Sequence, residues 1–100
     1  MIGNSMTPEA KVKNAVKKVL ATSQAYFFSP FGGGMGRAGI PDIIACKNGH
    51  FIGIECKAGR GKTTALQERE LHAITGAGGT ALIIRENNLD ELQKALDECN

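Results

Sequence analysis

GIPDIIACKNGHFIGIECKAG, residues 39–59, decides how this chain folds. Two apolar runs flank Asn48-Gly49, a pair that favours a two-residue hairpin turn because both positions accept positive φ. With the turn centred there, residues whose numbers sum to 97 lie opposite each other, so Asp42 faces Glu55. Side chains alternate along a strand, and Lys57 therefore shares the face of Glu55 one step further on. Directly opposed carboxylates, with Cβ atoms about 4.5–5.5 Å apart, repel each other and lose hydration beside apolar strands. Either one acid takes up a proton or both share a cation. Hard divalent cations take oxygen ligands, and magnesium uses one or two carboxylates plus water and phosphate. The bland alternative is a structural ion-pair cluster or a solvent-facing sheet edge. Ile44, Cys46 and Phe51 on the same face, with Ile43, Ala45, Ile52 and Ile54 on the other, imply that both faces are covered, which favours a cation site.

Outward from the hairpin, the pattern predicts a helix, three strands, a helix, a strand and a helix. Thr7-Pro8-Glu9 starts the first helix, with Thr at the N-cap, Pro in the first turn and an acid at the positive end of the dipole. Val12, Val16, Val19 and Leu20 carry it to about Ser23. Tyr26 to Phe28 reads as a short strand, ended by Ser29-Pro30 and a glycine-rich loop over 32–39. Thr64 and Gln67 have capping-box spacing for a second helix, and the glycines of 76–79 stop it. Thr80 to Arg85 forms a fourth strand, and Asn88 with Glu91 predicts another capping box before a helix striped by Leu89, Leu92, Leu96 and Cys99. The expected class is α/β: one mixed sheet flanked by helices, with residues 1–6 a loose leader and 7–100 a single domain.

Composition agrees with a globular chain: 42% hydrophobic and 22% charged over 100 residues. No apolar run approaches the roughly 18–20 residues that cross a bilayer, and no signal-peptide core is present, so the expectation is a cytoplasmic protein without a membrane partner. Three cysteines without a C-x-x-C pair suit reduced thiols. Zinc on Cys46, His50, Cys56 and His72 would lack paired-ligand spacing. A net charge of +2 proves no polyanion partner, although local clusters of Lys and Arg still matter.

Pro41-Asp42, then thirteen residues later Glu55-Cys56-Lys57, resembles the signature of the PD-(D/E)xK nuclease superfamily. Within it, GIPDIIACKNGHFIGIECKAGRGKTTALQ is similar to VRR-NUC domains of phage proteins and DNA-repair nucleases, and less closely to archaeal-type Holliday-junction resolvases. The likeness runs from the first helix through the fourth strand. It implies a restriction-endonuclease-like core and a Mg²⁺- or Mn²⁺-dependent endodeoxyribonuclease, with Asp42, Glu55 and the backbone carbonyl of Cys56 as metal ligands and Lys57 orienting the attacking water. It also implies that Glu9 joins the metal site directly or through water and that Gln67 contacts the site or substrate. At 100° per residue Glu9 falls in the sector of Val12, Val16 and Leu20, consistent with an inward direction. A homodimer acting on branched or four-way-junction DNA is the further implication.

Residues 34–39 spell G-x-G-x-x-G, but Ile40-Pro41-Asp42 leads into a strand rather than the helix a dinucleotide site needs, so no nucleotide cofactor is expected. Arg37, Arg60 and Lys62 lie in loops near the acids and are the expected DNA-backbone contacts, with affinity falling as salt rises. Lys11, Lys13, Lys17 and Lys18 read as the solvated side of the first helix. No aromatic-and-basic stacking pattern appears, so recognition by backbone and shape is expected. The alternative from another class is a catalytically silent DNA-binding or assembly module with a nuclease-like fold, against which the retention of Asp42, Glu55 and Lys57 together counts.

Overall fold

The computed structural model describes residues 6–30 and 36–100. Residues 1–5 of the expected leader, Phe31, and residues 32–35 of the expected glycine-rich loop lie outside the described residues. The elements follow the expected order: α1 (Pro8–Thr22), β1 (Tyr26–Phe28), β2 (Ile43–Lys47), β3 (His50–Cys56), α2 (Ala65–Gly76), β4 (Thr80–Ile84) and α3 (Leu89–Asp97). Thr7 caps α1 by accepting the Ala10 N–H. Asn48 and Gly49 both take positive φ, 50° and 82°, the geometry of the expected tight turn. The register follows directly: Ile43 opposes Ile54, and Lys47 opposes His50.

The four strands lie in sequence order, the first three antiparallel and β4 parallel to β3, joined through α2. One face carries Ile43, Ala45, Ile52, Ile54, Cys56 and Ile84 against Val12, Val16 and Leu20 of α1 and Leu92 and Leu96 of α3. At about 25 cal/mol per Å² of apolar surface, this continuous layer is the main stabilising term. The other face is covered by α2 and only in part, which departs from the expectation of two covered faces. Gly53 makes room there, since a Cβ would sit 2.5 Å from Ile74 Cδ1. Beyond the helix, Tyr26, Phe28 and Phe51 remain exposed.

One expected cap does not form. Asn88 makes no side-chain cap on α3. Its amide instead accepts the Arg85 N–H and donates to the Ile83 carbonyl, tying the end of β4 to the turn. Unpaired backbone groups where a strand stops compete for the same side chain, and here they win.

Candidate active site

Four chain ends converge at one margin of the sheet: the first turns of α1, the lead into β2, the end of β3 and the first turn of α2. The hairpin register brings Asp42 and Glu55 there, and their two carboxylates are held differently. Asp42 Oδ2 accepts the Cys56 N–H at 2.8 Å, which continues the strand contact one residue past the paired ladder. Glu55 is 2% exposed, and its Oε2 accepts the Gln67 Nε2–H at 2.9 Å. Lys57 Nζ lies 3.7 Å from the same oxygen.

Gln67 both closes the capping box and reaches Glu55. Its Oε1 accepts the Thr64 N–H and its own N–H is capped by Thr64 Oγ1, completing the capping box. That leaves the amide nitrogen for Glu55. One side chain thus starts α2 and orients the buried acid.

Glu55 Oε1 is buried and has no hydrogen-bond partner. Burial, then the Asp42 carboxylate, raises the Glu55 pKa to about 8 despite Lys57. An orphaned carboxylate oxygen beside a second acid, Asp42, whose Oδ1 carries only ionic contacts, is a donor set that suits a hard divalent cation. Asp42 and Glu55 would hold it. The Cys56 side chain points the other way, into the core, where burial pushes its thiol up to about 12, so any contribution of this residue is from its backbone. Among the described residues no three His, Cys, Asp or Glu side chains form a metal-holding group. Glu9 is linked to Asp42 through Lys13, whose Nζ is 3.8 Å from Glu9 Oε2 and 3.6 Å from Asp42 Oδ1.

Lys13, expected on the solvated side, keeps 37% of its side chain exposed but leans toward Glu9 and Asp42, whereas Glu9, expected to point inward, is 44% exposed because the first turn of α1 stands at the margin of the sheet. The signal was present: at 100° per residue Lys13 lies only about 40° from Glu9 around α1, whereas Lys11 and Lys18 lie on the far side. Arg37 was expected to meet phosphate, yet its guanidinium makes a bidentate pair with Glu70 of α2, at 2.9 and 3.1 Å. Arg69 approaches the same carboxylate at 3.5 Å. Together they hold Glu70 below the usual carboxylate range.

Arg60 and Lys62 are exposed on the loop after β3. That loop is pinned at Gly59, whose N–H donates to Glu86 and whose carbonyl accepts from Arg85. Next to Arg37, Gly39 takes φ +87° and touches α2 so closely that a Cβ would lie 2.4 Å from the Leu66 carbonyl oxygen. His50 and His72 are exposed, and Cys46 and Cys56 occupy opposite sheet faces, so these four residues do not assemble a zinc site.

A solved structure titled "VRR_NUC domain" superposes with a TM-score of 0.73 at 17% sequence identity, covering 95% of this chain and all of that one. Its fold, restriction-endonuclease-like, is therefore shared. No curated protein matches the chain. The profile described as archaeal Holliday junction resolvase matches residues 25–84, from just before β1 to the end of β4, and so spans Asp42, Glu55, Lys57 and Gln67. With both acids, the lysine and the tethering glutamine inside that span, the chain belongs to the archaeal Holliday junction resolvase family.

Proposed function

We propose that this protein is a divalent-metal-dependent endonuclease, using Mg²⁺ or Mn²⁺, that hydrolyses phosphodiester bonds in branched or four-way-junction DNA. The observation that carries the reading is the orphaned Glu55 Oε1, buried beside Asp42 and braced by Gln67. A buried acid that stays unsatisfied in a well-packed fold is explained by a partner the chain itself does not supply.

A divalent cation held by Asp42 and Glu55 would lower the pKa of a water and offset phosphate charge. The chain's own residues do the rest. The Cys56 N–H fixes the Asp42 carboxylate, and Gln67 fixes Glu55, so neither acid must reorganise when substrate arrives. Lys57, 13% exposed at its side chain and beside Glu55, presents an ammonium to charge developing on the phosphate and helps orient the attacking water. Glu9 adds negative charge at the margin of the pair. Arg60 and Lys62 offer the DNA backbone two cations from a loop whose base is clamped by Arg85 and Glu86. Arg37 serves here first as a brace on α2, with its outward edge left to meet a phosphate.

A homodimer is part of the reading. Tyr26, Cys46 and Phe51 form one cross-strand row on the partly covered face, with Phe28 beside Tyr26 at a ring separation of 6.2 Å. Exposed aromatic rows of this kind mark interaction surfaces. Sedimentation of wild type and Phe51→Lys checks it, the variant being expected to shift toward monomer.

The decisive test is cleavage of supercoiled plasmid, linear duplex and four-way-junction DNA with Mg²⁺, Mn²⁺ or EDTA, by wild type and Asp42→Ala. Metal-dependent cleavage of the junction in preference to linear duplex, lost in Asp42→Ala, is expected. Salt-sensitive binding without metal-dependent cleavage would instead support the catalytically silent DNA-binding module.

A further inference from the structure

Asp42 has one oxygen already used. Oδ2 accepts the Cys56 N–H, so Oδ1 is the oxygen left for a cation, and it faces Lys13 Nζ at 3.6 Å. The same ammonium lies 3.8 Å from Glu9 Oε2, one helical turn earlier on α1. Both separations exceed the roughly 2.7–2.9 Å of a charge-assisted hydrogen bond. The ammonium is therefore drawn to the two acids without being bonded to either. Its side chain is 37% exposed, so a path to water is open. Among the described residues Lys11, Lys17 and Lys18 form no ion pair, so Lys13 alone of the α1 lysines is directed at the site.

The charges around the site divide into two pairs. Lys57 attends Glu55 from just past the end of β3, and Lys13 attends Asp42 and Glu9 from α1. The inner lysine is largely enclosed, whereas the outer one is a compact charge on a flexible four-carbon stem. A divalent cation on Asp42 Oδ1 would lie close to the Lys13 ammonium, and their mutual repulsion would weaken the hold of each on that oxygen.

We propose that Lys13 is the internal counter-ion of the cation site: it neutralises Asp42 Oδ1 and Glu9 while no metal is bound, and a divalent cation binds by displacing it. Lys13 is thus a positioning residue that sets the metal affinity. The inference rests on Asp42 and Glu55 being the cation-holding pair.

Titration with Mn²⁺, followed by calorimetry and by the electron paramagnetic resonance signal of free Mn²⁺, tests it without reference to cleavage. Lys13→Met keeps the stem and removes the charge. Its Kd for Mn²⁺ should fall about three- to tenfold, the scale of one partly screened charge interaction. In EDTA its thermal midpoint should drop, and the rise on adding Mn²⁺ should exceed that of wild type. Lys13→Arg, which retains the charge, should bind within about twofold of wild type. Lys13→Gln provides a second neutral variant if the Met variant does not fold. An unchanged Kd in folded Lys13→Met overturns the role of Lys13, even if its midpoint drops, since a merely structural ion pair would do the same. Wild type that fails to bind Mn²⁺, or Asp42→Ala that still binds it, overturns the site itself and the inference with it.

Discussion

Replacing Glu55 by Gln should make the metal-free protein more stable at alkaline pH, although it removes a residue of the proposed active site. The carboxyl is 2% exposed, and Asp42 stands beside it as a repelling charge and as an acceptor for its proton, so its pKa rises from the usual 4.5 to about 8. Between those two values the folded state holds a proton that the unfolded chain has released. Stability must then fall as pH rises through this window, because the unfolded state binds fewer protons. Each pH unit is worth about 1.4 kcal/mol, so between pH 4.5 and about 8 the metal-free fold loses roughly 5 kcal/mol in all, a large part of the approximately 5–15 kcal/mol typical of a domain. Lys57 at 3.7 Å reduces the penalty without removing it. Gln cannot ionise and keeps the shape. Urea denaturation in EDTA, in steps from pH 5 to pH 9, should show wild type weakening and Glu55→Gln nearly flat, with the variant the more stable by about 3 kcal/mol at pH 8. Mn²⁺ should restore wild type and leave the variant unmoved. Parallel stability curves for the two proteins across this range would refute the claim that Glu55 is a buried, strained acid.

Three further perturbations separate the parts of the site. Gln67→Leu removes both the brace on Glu55 and half of the capping box, and should lower stability by about 1–2 kcal/mol in urea while reducing junction cleavage at least about tenfold. Gly39→Ala places a methyl against the Leu66 carbonyl at a left-handed φ, and should destabilise by more than about 2 kcal/mol in the same assay, whereas Gly49→Ala, with open space around it, should be milder. Arg37→Ala leaves the Glu70 carboxylate only its longer contact to Arg69 and should lower the thermal midpoint near neutral pH, with Arg37→Ala/Glu70→Gln recovering part of the loss. Because Arg37 holds Glu70 below the usual 4.5, the contribution of that pair is present above this value and fades as pH falls through the lowered one, so the Arg37→Ala deficit should shrink in acid.

Much of this molecule is written in short-range pattern. Asn48-Gly49 demands a tight turn, a symmetric turn sets the register, and the register alone places Asp42 against Glu55 and Lys57 on the same face. Thr64 and Gln67 announce a capping box in four residues, and Thr7-Pro8 announces the start of α1. These features depend on neighbours a few positions apart, whose geometry the backbone dictates. The rest needed elements to meet. Arg37 finds Glu70 across 33 residues, because α2 lies under the segment that leads into β2. Asn88 abandons its helix because β4 ends within its reach. Lys13 was the intermediate case: helical spacing put it near Glu9, but only the packing of α1 beside the β2 lead brings it to Asp42 Oδ1. Side-chain direction follows from the local chain, while its partner follows from where separate elements come to rest. The orphaned oxygen of Glu55 belongs to that second kind, since a sequence states which acids are present but not which of their lone pairs the fold leaves unfilled.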